Sequence, residues 1–137
     1  MGSNGERRGT TVLVVDDYAD TRRVVRWMLE QKGYRVLEAE DGRQAVDSAR
    51  AERPDLILMD LTMPQVDGFE AARTIRASEG LAEVPIIAVT AHDMAASREG
   101  ARAAGCDLFI SKPIDFTRLA VLIEKLLARQ RQEIEHL

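Results

Sequence analysis

From Thr11 onward the chain alternates between short apolar runs and longer stretches with helical periodicity. Aliphatic and β-branched residues cluster at Val12–Val15, Arg35–Ala39, Leu56–Met59, Ile86–Val89 and Leu108–Ile110. The first, third and fourth runs are apolar at every position, the pattern of strands covered on both faces. Between them, helical spacing runs over Asp20–Lys32, Gly42–Glu52, Gly68–Ser78 and Met94–Ala104, and again from Asp115. Gly33 and Gly105 fall where a left-handed residue would end the first and fourth helices. Pro54 and Pro85 stand just ahead of the third and fourth strands, where neither interrupts a ladder. Five strand–helix repeats predict an α/β fold, a doubly wound five-stranded parallel sheet with helices on both faces.

Composition narrows the class further. A length of 137 residues suits one domain, and a hydrophobic share of 45% can build a core. Aromatic residues are only 4%, so aliphatic side chains and Ala must fill it. A net charge of -4 argues against a direct nucleic-acid binder. No apolar run approaches the roughly 20 residues of a membrane span, and no signal segment opens the chain. One cysteine excludes an internal disulfide framework and suits a reducing, cytoplasmic setting. Cys106 itself reads as a small buried hydrophobe rather than a reactive thiol. Residues 1–10 are expected to be a disordered lead and 11–127 the domain. Residues 128–137 are then an extension of the last helix or a frayed tail.

In an open parallel sheet, ligands bind at the carboxyl ends of the strands, near the point where strand order reverses. Strand one ends in Asp16 and Asp17, strand three in Asp60, strand four in Thr90, and strand five in Ser111 and Lys112. Each alone is unremarkable as a cap or turn residue, but together they bring three carboxylates, hydroxyls and an ammonium to one edge. Three carboxylates so close disfavour one another's ionised forms, which a divalent cation relieves. An all-oxygen set without His or Cys selects a hard ion, and Mg2+ leaves room for phosphate oxygens. A carboxylate can serve as nucleophile to give an acyl phosphate, with metal and Lys112 neutralising the transferring oxygens. No phosphate-binding glycine loop follows the first strand, where the chain reads DDYADT. The chemistry points to Mg2+-dependent phosphoryl transfer onto an Asp.

These residues resemble the receiver domain of two-component response regulators. The resemblance rests on VLVVDD, LILMDLTMPQVDG, IIAVTA and ISKP, in the family's order and spacing. It implies a flavodoxin-like strand order of 2-1-3-4-5. It further implies that Asp60 is the phosphorylated nucleophile and that Asp17 and Asp60 bind Mg2+ directly. Asp16 would act through a water, and Thr62 through its backbone carbonyl. Lys112 corresponds to the lysine that pairs with the phosphoryl oxygens, and Thr90 to the switch hydroxyl, with the small Ala91 beside it. Pro113 matches the family's cis-proline, and Gly68 a position needing an unusual backbone angle. Phe109 stands where the family usually has a switch aromatic, often Tyr, so output is expected to be read by packing. Thr62 and His92 occupy positions that influence phosphoryl lifetime. Neither is an acid or amide that would orient water, so a moderately long-lived phosphorylated state is expected, with a solvated loop histidine as the other reading of His92.

The resemblance implies a histidine kinase or histidine phosphotransfer protein as phosphodonor, meeting the first helix and the loop after strand five. Tyr18, Thr21, Trp27, Ile114 and Phe116 are the candidate contacts. Helical arithmetic gives the first helix a core stripe of Val24, Val25, Met28 and Leu29 and puts Trp27 outside it. Trp27 is then either a residue lying on its neighbours or a docking residue. The last helix has a core stripe of Phe116, Leu119, Leu122, Ile123, Leu126 and Leu127. Ala120, Ile123, Leu127, Gln130, Ile134 and Leu137 also fit coiled-coil spacing, which leaves a homodimer through this helix open.

The expected function is a phosphoacceptor switch, not a turnover enzyme, whose helix 4–strand 5–helix 5 face changes affinity for an unidentified output partner. With no DNA-binding segment after the receiver, any effect on transcription is expected to need another chain. Alternatives are a receiver piece of a larger regulator or hybrid kinase, or an aspartyl-phosphate hydrolase. Haloacid-dehalogenase-type phosphatases carry D-x-D-x-T after the first strand, which Asp16-Asp17-Tyr18-Ala19-Asp20 lacks. A receiver that signals without phosphorylation sits poorly with the complete acidic set.

Overall fold

The computed structural model describes residues 9–61, 68–90, 99–100 and 102–135, with side chains described as far as Arg129. Five strands, β1 (Thr11–Val15), β2 (Arg35–Ala39), β3 (Leu56–Asp60), β4 (Ile86–Thr90) and β5 (Leu108–Ser111), form one sheet. Its order is β2-β1-β3-β4-β5, and every pairing is parallel. The helices are α1 (Ala19–Gln31), α2 (Gly42–Glu52), α3 (Gly68–Arg76) and α5 (Phe116–Glu135). Residues 99–100 and 102–103 are helical and belong to α4. The predicted α4 segment before residue 99 and the lead before Gly9 lie outside the described residues.

Alternation along each strand sends successive side chains to opposite faces, so the sheet carries two apolar cores. Leu13, Val15, Ile57, Met59, Ile86 and Ala88 pack with Ala45, Ala49, Ala71, Ala72 and Ile75 from α2 and α3. Val12, Val14, Leu56, Leu58, Ile87 and Val89 pack with Val25, Leu29, Leu119, Ile123 and Leu126 from α1 and α5. The Ala-rich inner faces of α2 and α3 let those helices lie close to large aliphatic strand residues. β1, β3 and β4 are buried throughout, as their unbroken apolar runs predict.

The punctuation is as read, with two differences. Gly33 and Gly105 adopt φ values of 93° and 96°, as left-handed terminators do. Asp41 caps α2 by accepting from the Gln44 N–H at 2.8 Å, and Asp115 caps α5 by accepting from the Arg118 N–H at 3.1 Å. Gly68 is the first difference: it is a helical residue, and what it supplies is space rather than an unusual angle. A Cβ there would lie 2.6 Å from the Asp60 carbonyl oxygen and 2.8 Å from the Leu61 Cα. Val24 is the second, since 49% of it is exposed. The buried arc of α1 is narrower than the sequence stripe, centred on Val25 and Leu29, and Val24 borders a surface groove instead.

Candidate functional site

The sheet divides between β1 and β3: from β1 the chain moves to β2 on one side, and from β3 to β4 on the other. Side chains at the carboxyl ends of these two strands therefore flank a crevice that no crossover covers. Val15 pairs with Met59 and Asp60 with Val89, so Asp16 and Asp60 end neighbouring strands at one level. Thr90 pairs with Ser111 one residue further on. Asp16, Asp60 and Thr90 are 4%, 1% and 5% exposed, whereas Asp17 is open to solvent. One carboxylate oxygen from each of Asp16, Asp17 and Asp60 lies within 4.8 Å of the others.

Lys112 closes the group. Its backbone N–H donates to the Thr90 carbonyl at 2.8 Å, holding it beside the end of β4. Its Nζ donates to Asp60 Oδ2 at 3.0 Å and lies 3.8 Å from Asp16 Oδ2. The Lys112–Pro113 peptide bond is cis, as the family resemblance implies. Partial burial alone would pull the Lys112 pKa down, but the hydrogen bond to Asp60 and the charges of Asp60, Asp16 and Asp17 outweigh it. The net shift is upward. Burial pushes the Asp16 carboxyl up, with further upward pressure from Asp60 and Asp17, against the Tyr18 N–H and Lys112. Desolvation thus exceeds like-charge repulsion at Asp16, although both act in the same direction.

The donor set matches a hard divalent ion: three carboxylates at close range, all oxygen, with one exposed side. Phe109 is half-buried at the edge of the α2–α3 core, with the Arg102 guanidinium 5.9 Å from its ring centroid. Thr62, Ala91 and His92 lie outside the described residues. Cys106 is buried, and desolvation pushes its thiol up to about 11, as befits a packed side chain.

Residues 12–124 match the family described as "Response regulator receiver domain". The chain belongs to that family. It is 38% identical over 117 residues to the polar-differentiation response regulator DivK of Brucella anthropi, a match covering 85% of this chain and 95% of that protein. Its fold is similar to the receiver domain of a sensor histidine kinase from Pseudomonas aeruginosa, solved with magnesium coordinated in the active-site cleft. That likeness has a TM-score of 0.82 and 39% identity, covering 88% of this chain and 98% of the other. The chemotaxis protein CheY4 of Vibrio cholerae gives a TM-score of 0.82 at 30% identity, over 85% and 98%. The chain is therefore a two-component receiver domain, related to DivK- and CheY-like regulators. Receiver domains bind Mg2+ at their acidic site and act as phosphoacceptor switches that interact with histidine kinases and phosphotransfer proteins. Among the described residues, no helix is long and apolar enough to cross a membrane.

Sequence reasoning missed Arg22. Its Nη1 donates to the Asp16 carbonyl oxygen at 2.7 Å, and its Nε to Glu38 at 3.1 Å. The target is a backbone atom, which leaves no mark in a side-chain pattern.

Proposed function

We propose that Asp60 accepts a phosphoryl group from a phosphohistidine on a histidine kinase or phosphotransfer protein. The observation that carries this is the nearly inaccessible Asp60 carboxylate, within 4.8 Å of two further carboxylates and 3.0 Å from an ammonium. In the transfer an Asp60 oxygen attacks phosphorus as the bond to the histidine nitrogen breaks, and that nitrogen leaves with its electron pair. Lys112 offers its N–H groups to the phosphoryl oxygens, and the charge it now shares with Asp60 and Asp16 stays in place as negative charge moves onto the product. Asp17 and Asp60 would hold Mg2+ directly, Asp16 through water, and Thr62 through its carbonyl. The bound ion supplies positive charge opposite the transferring oxygens. On this reading the domain assists its own phosphorylation and dephosphorylation, without turning over a separate substrate.

Thr90, at the end of β4, and Phe109, on β5, would relay the modified state to the α4–β5–α5 face, where the output partner binds. Residues 11–127 would form the receiver, in a cytoplasmic protein, with α5 running on past Leu127 to Glu135; the lead before Gly9 and the residues after Glu135 lie outside the described residues. A homodimer through α5 would use the segment beyond Arg129. Ile123 and Ala120, the first positions of the coiled-coil seam, are already covered within the domain.

The test is Mg2+-dependent labelling by acetyl phosphate or a phosphorylated histidine domain, read as intact mass. Labelling to one phosphoryl group, absent in Asp60→Asn, is expected. Labelling retained in Asp60→Asn, or repeated turnover of a phosphomonoester, would overturn the reading.

A further inference from the structure

The loop after β1 is held on several sides. The Asp16 N–H donates to the Ala39 carbonyl at 3.1 Å, and Asp16 Oδ1 accepts from the Tyr18 N–H at 2.8 Å. The Asp16 carbonyl is the residue's other main-chain polar group, and it belongs to the peptide that joins Asp16 to Asp17. Arg22, on the first turn of α1, binds it through Nη1 at 2.7 Å. The guanidinium is itself anchored, since Nε donates to Glu38 Oε1 at 3.1 Å and the side chain is only 14% exposed. Glu38 is braced in turn by Arg26, whose Nη1 lies 2.7 Å from Glu38 Oε2. A planar fork bound at two points keeps its direction better than a single flexible donor.

We infer that Arg22 is a positioning residue for the acidic cluster: by holding the Asp16 carbonyl it fixes the Asp16–Asp17 peptide, and so the direction in which the exposed Asp17 is presented beside Asp16 and Asp60. This rests on reading the cluster as the divalent-cation site. Charge alone makes the opposite prediction, because a guanidinium bound to the Asp16 carbonyl repels a second cation brought near it. Were charge its main effect, removing Arg22 would tighten Mg2+ binding. Support for the orientation of a metal site has the other sign, and its loss weakens affinity by about tenfold or more.

The experiment is calorimetric titration of Mg2+ into the full chain, with thermal unfolding in EDTA run alongside. Arg22→Gln is expected to bind Mg2+ about tenfold more weakly than the unmodified protein. Arg22→Lys keeps the charge and one donor, but a single ammonium cannot span the carbonyl and Glu38 as the fork does, so its affinity should fall between the two. Arg26→Gln removes the other Glu38 contact and touches no backbone of the site. It should lower the unfolding temperature comparably and leave Mg2+ affinity unchanged. Affinity in Arg22→Gln equal to or tighter than the unmodified protein, or in Arg22→Lys equal to it, overturns the inference. So does an Arg26→Gln variant weakened as much as Arg22→Gln. If Arg22→Gln does not fold, Arg22→Lys decides on the same criterion. Absence of Mg2+ uptake by the unmodified protein, or unchanged uptake by Asp17→Asn, would instead overturn the cation-site reading itself.

Discussion

Burial is the largest influence on the Asp16 carboxyl, raising its pKa from the ordinary 3.8, and the charges of Asp60 and Asp17 add to it. The folded chain therefore binds this proton more tightly than the unfolded chain does. Its contribution to stability falls as pH rises from 3.8 through the raised value, because ionising the buried Asp16 opposes folding. Asp16→Asn removes that charge and keeps an oxygen able to accept from the Tyr18 N–H. In EDTA at pH 7 the variant should melt about 2–5 °C higher than the unmodified protein, and Mg2+ should stabilise it less. Scanning calorimetry with and without the ion checks both, and a lower melting point in EDTA contradicts the account. Lys112 shows the same pH dependence in a higher range, but there it is the charged form that favours folding. Its raised pKa means that its contribution is fully present below 10.5 and is lost as pH rises through the folded value.

At the level of elements, the end of the sheet opposite the site is held by Arg76, the last residue of α3. Its Nε and Nη2 donate to the Gly105 carbonyl at 2.8 and 2.7 Å, and Nη2 reaches Asp107 Oδ2 at 2.8 Å. Its Nη1 donates to the carbonyls of Ala82 and Val84. Asp107 Oδ2 also accepts from the Ile86 N–H at 2.8 Å, so one ion pair ties α3 to the entrances of β4 and β5. Arg76→Ala would strand several partly buried acceptors and should destabilise the domain by about 2–4 kcal/mol in urea unfolding. A loss below about 1 kcal/mol would show that water replaces the guanidinium freely. The strands and helices that Arg76 joins were legible from periodicity, and Asp60, Thr90 and Lys112 from their places at strand ends. Arg76 was not, because two charged residues separated by 31 positions carry no local sign that they meet.

Over the whole molecule, the acidic site opens beside a cluster of exposed apolar side chains. Tyr18, Val24 and Trp27 are 61%, 49% and 65% exposed along α1. A groove of about 360 Å3 lined by Val24, Ile114 and Phe116 runs next to Lys112. Exposed Trp is favoured at interface hot spots, and this one lies outside the core arc, as helical arithmetic predicted. Trp27→Ala should leave the melting temperature within about 2 °C, since a surface substitution seldom changes stability by more than about 0.5 kcal/mol. It should slow phosphoryl transfer from a histidine domain several-fold while sparing labelling by acetyl phosphate. Equal loss with both donors would point to damage at the acidic site instead of at a docking surface.

The chain's own pattern determined the alternation of strand and helix, the two-sided burial of β1, β3 and β4, and the edge at which the acids gather. These follow from periods of 2 and 3.6 residues and from residue type at strand ends, which are local properties. Only the folded arrangement decided that Asp16 is buried while Asp17 is not, that Val24 leaves the core, and that Gly68 is needed for space. It alone set Arg22 on a backbone carbonyl. Each of these depends on distances between segments far apart in sequence, and several involve main-chain atoms that every residue has in common.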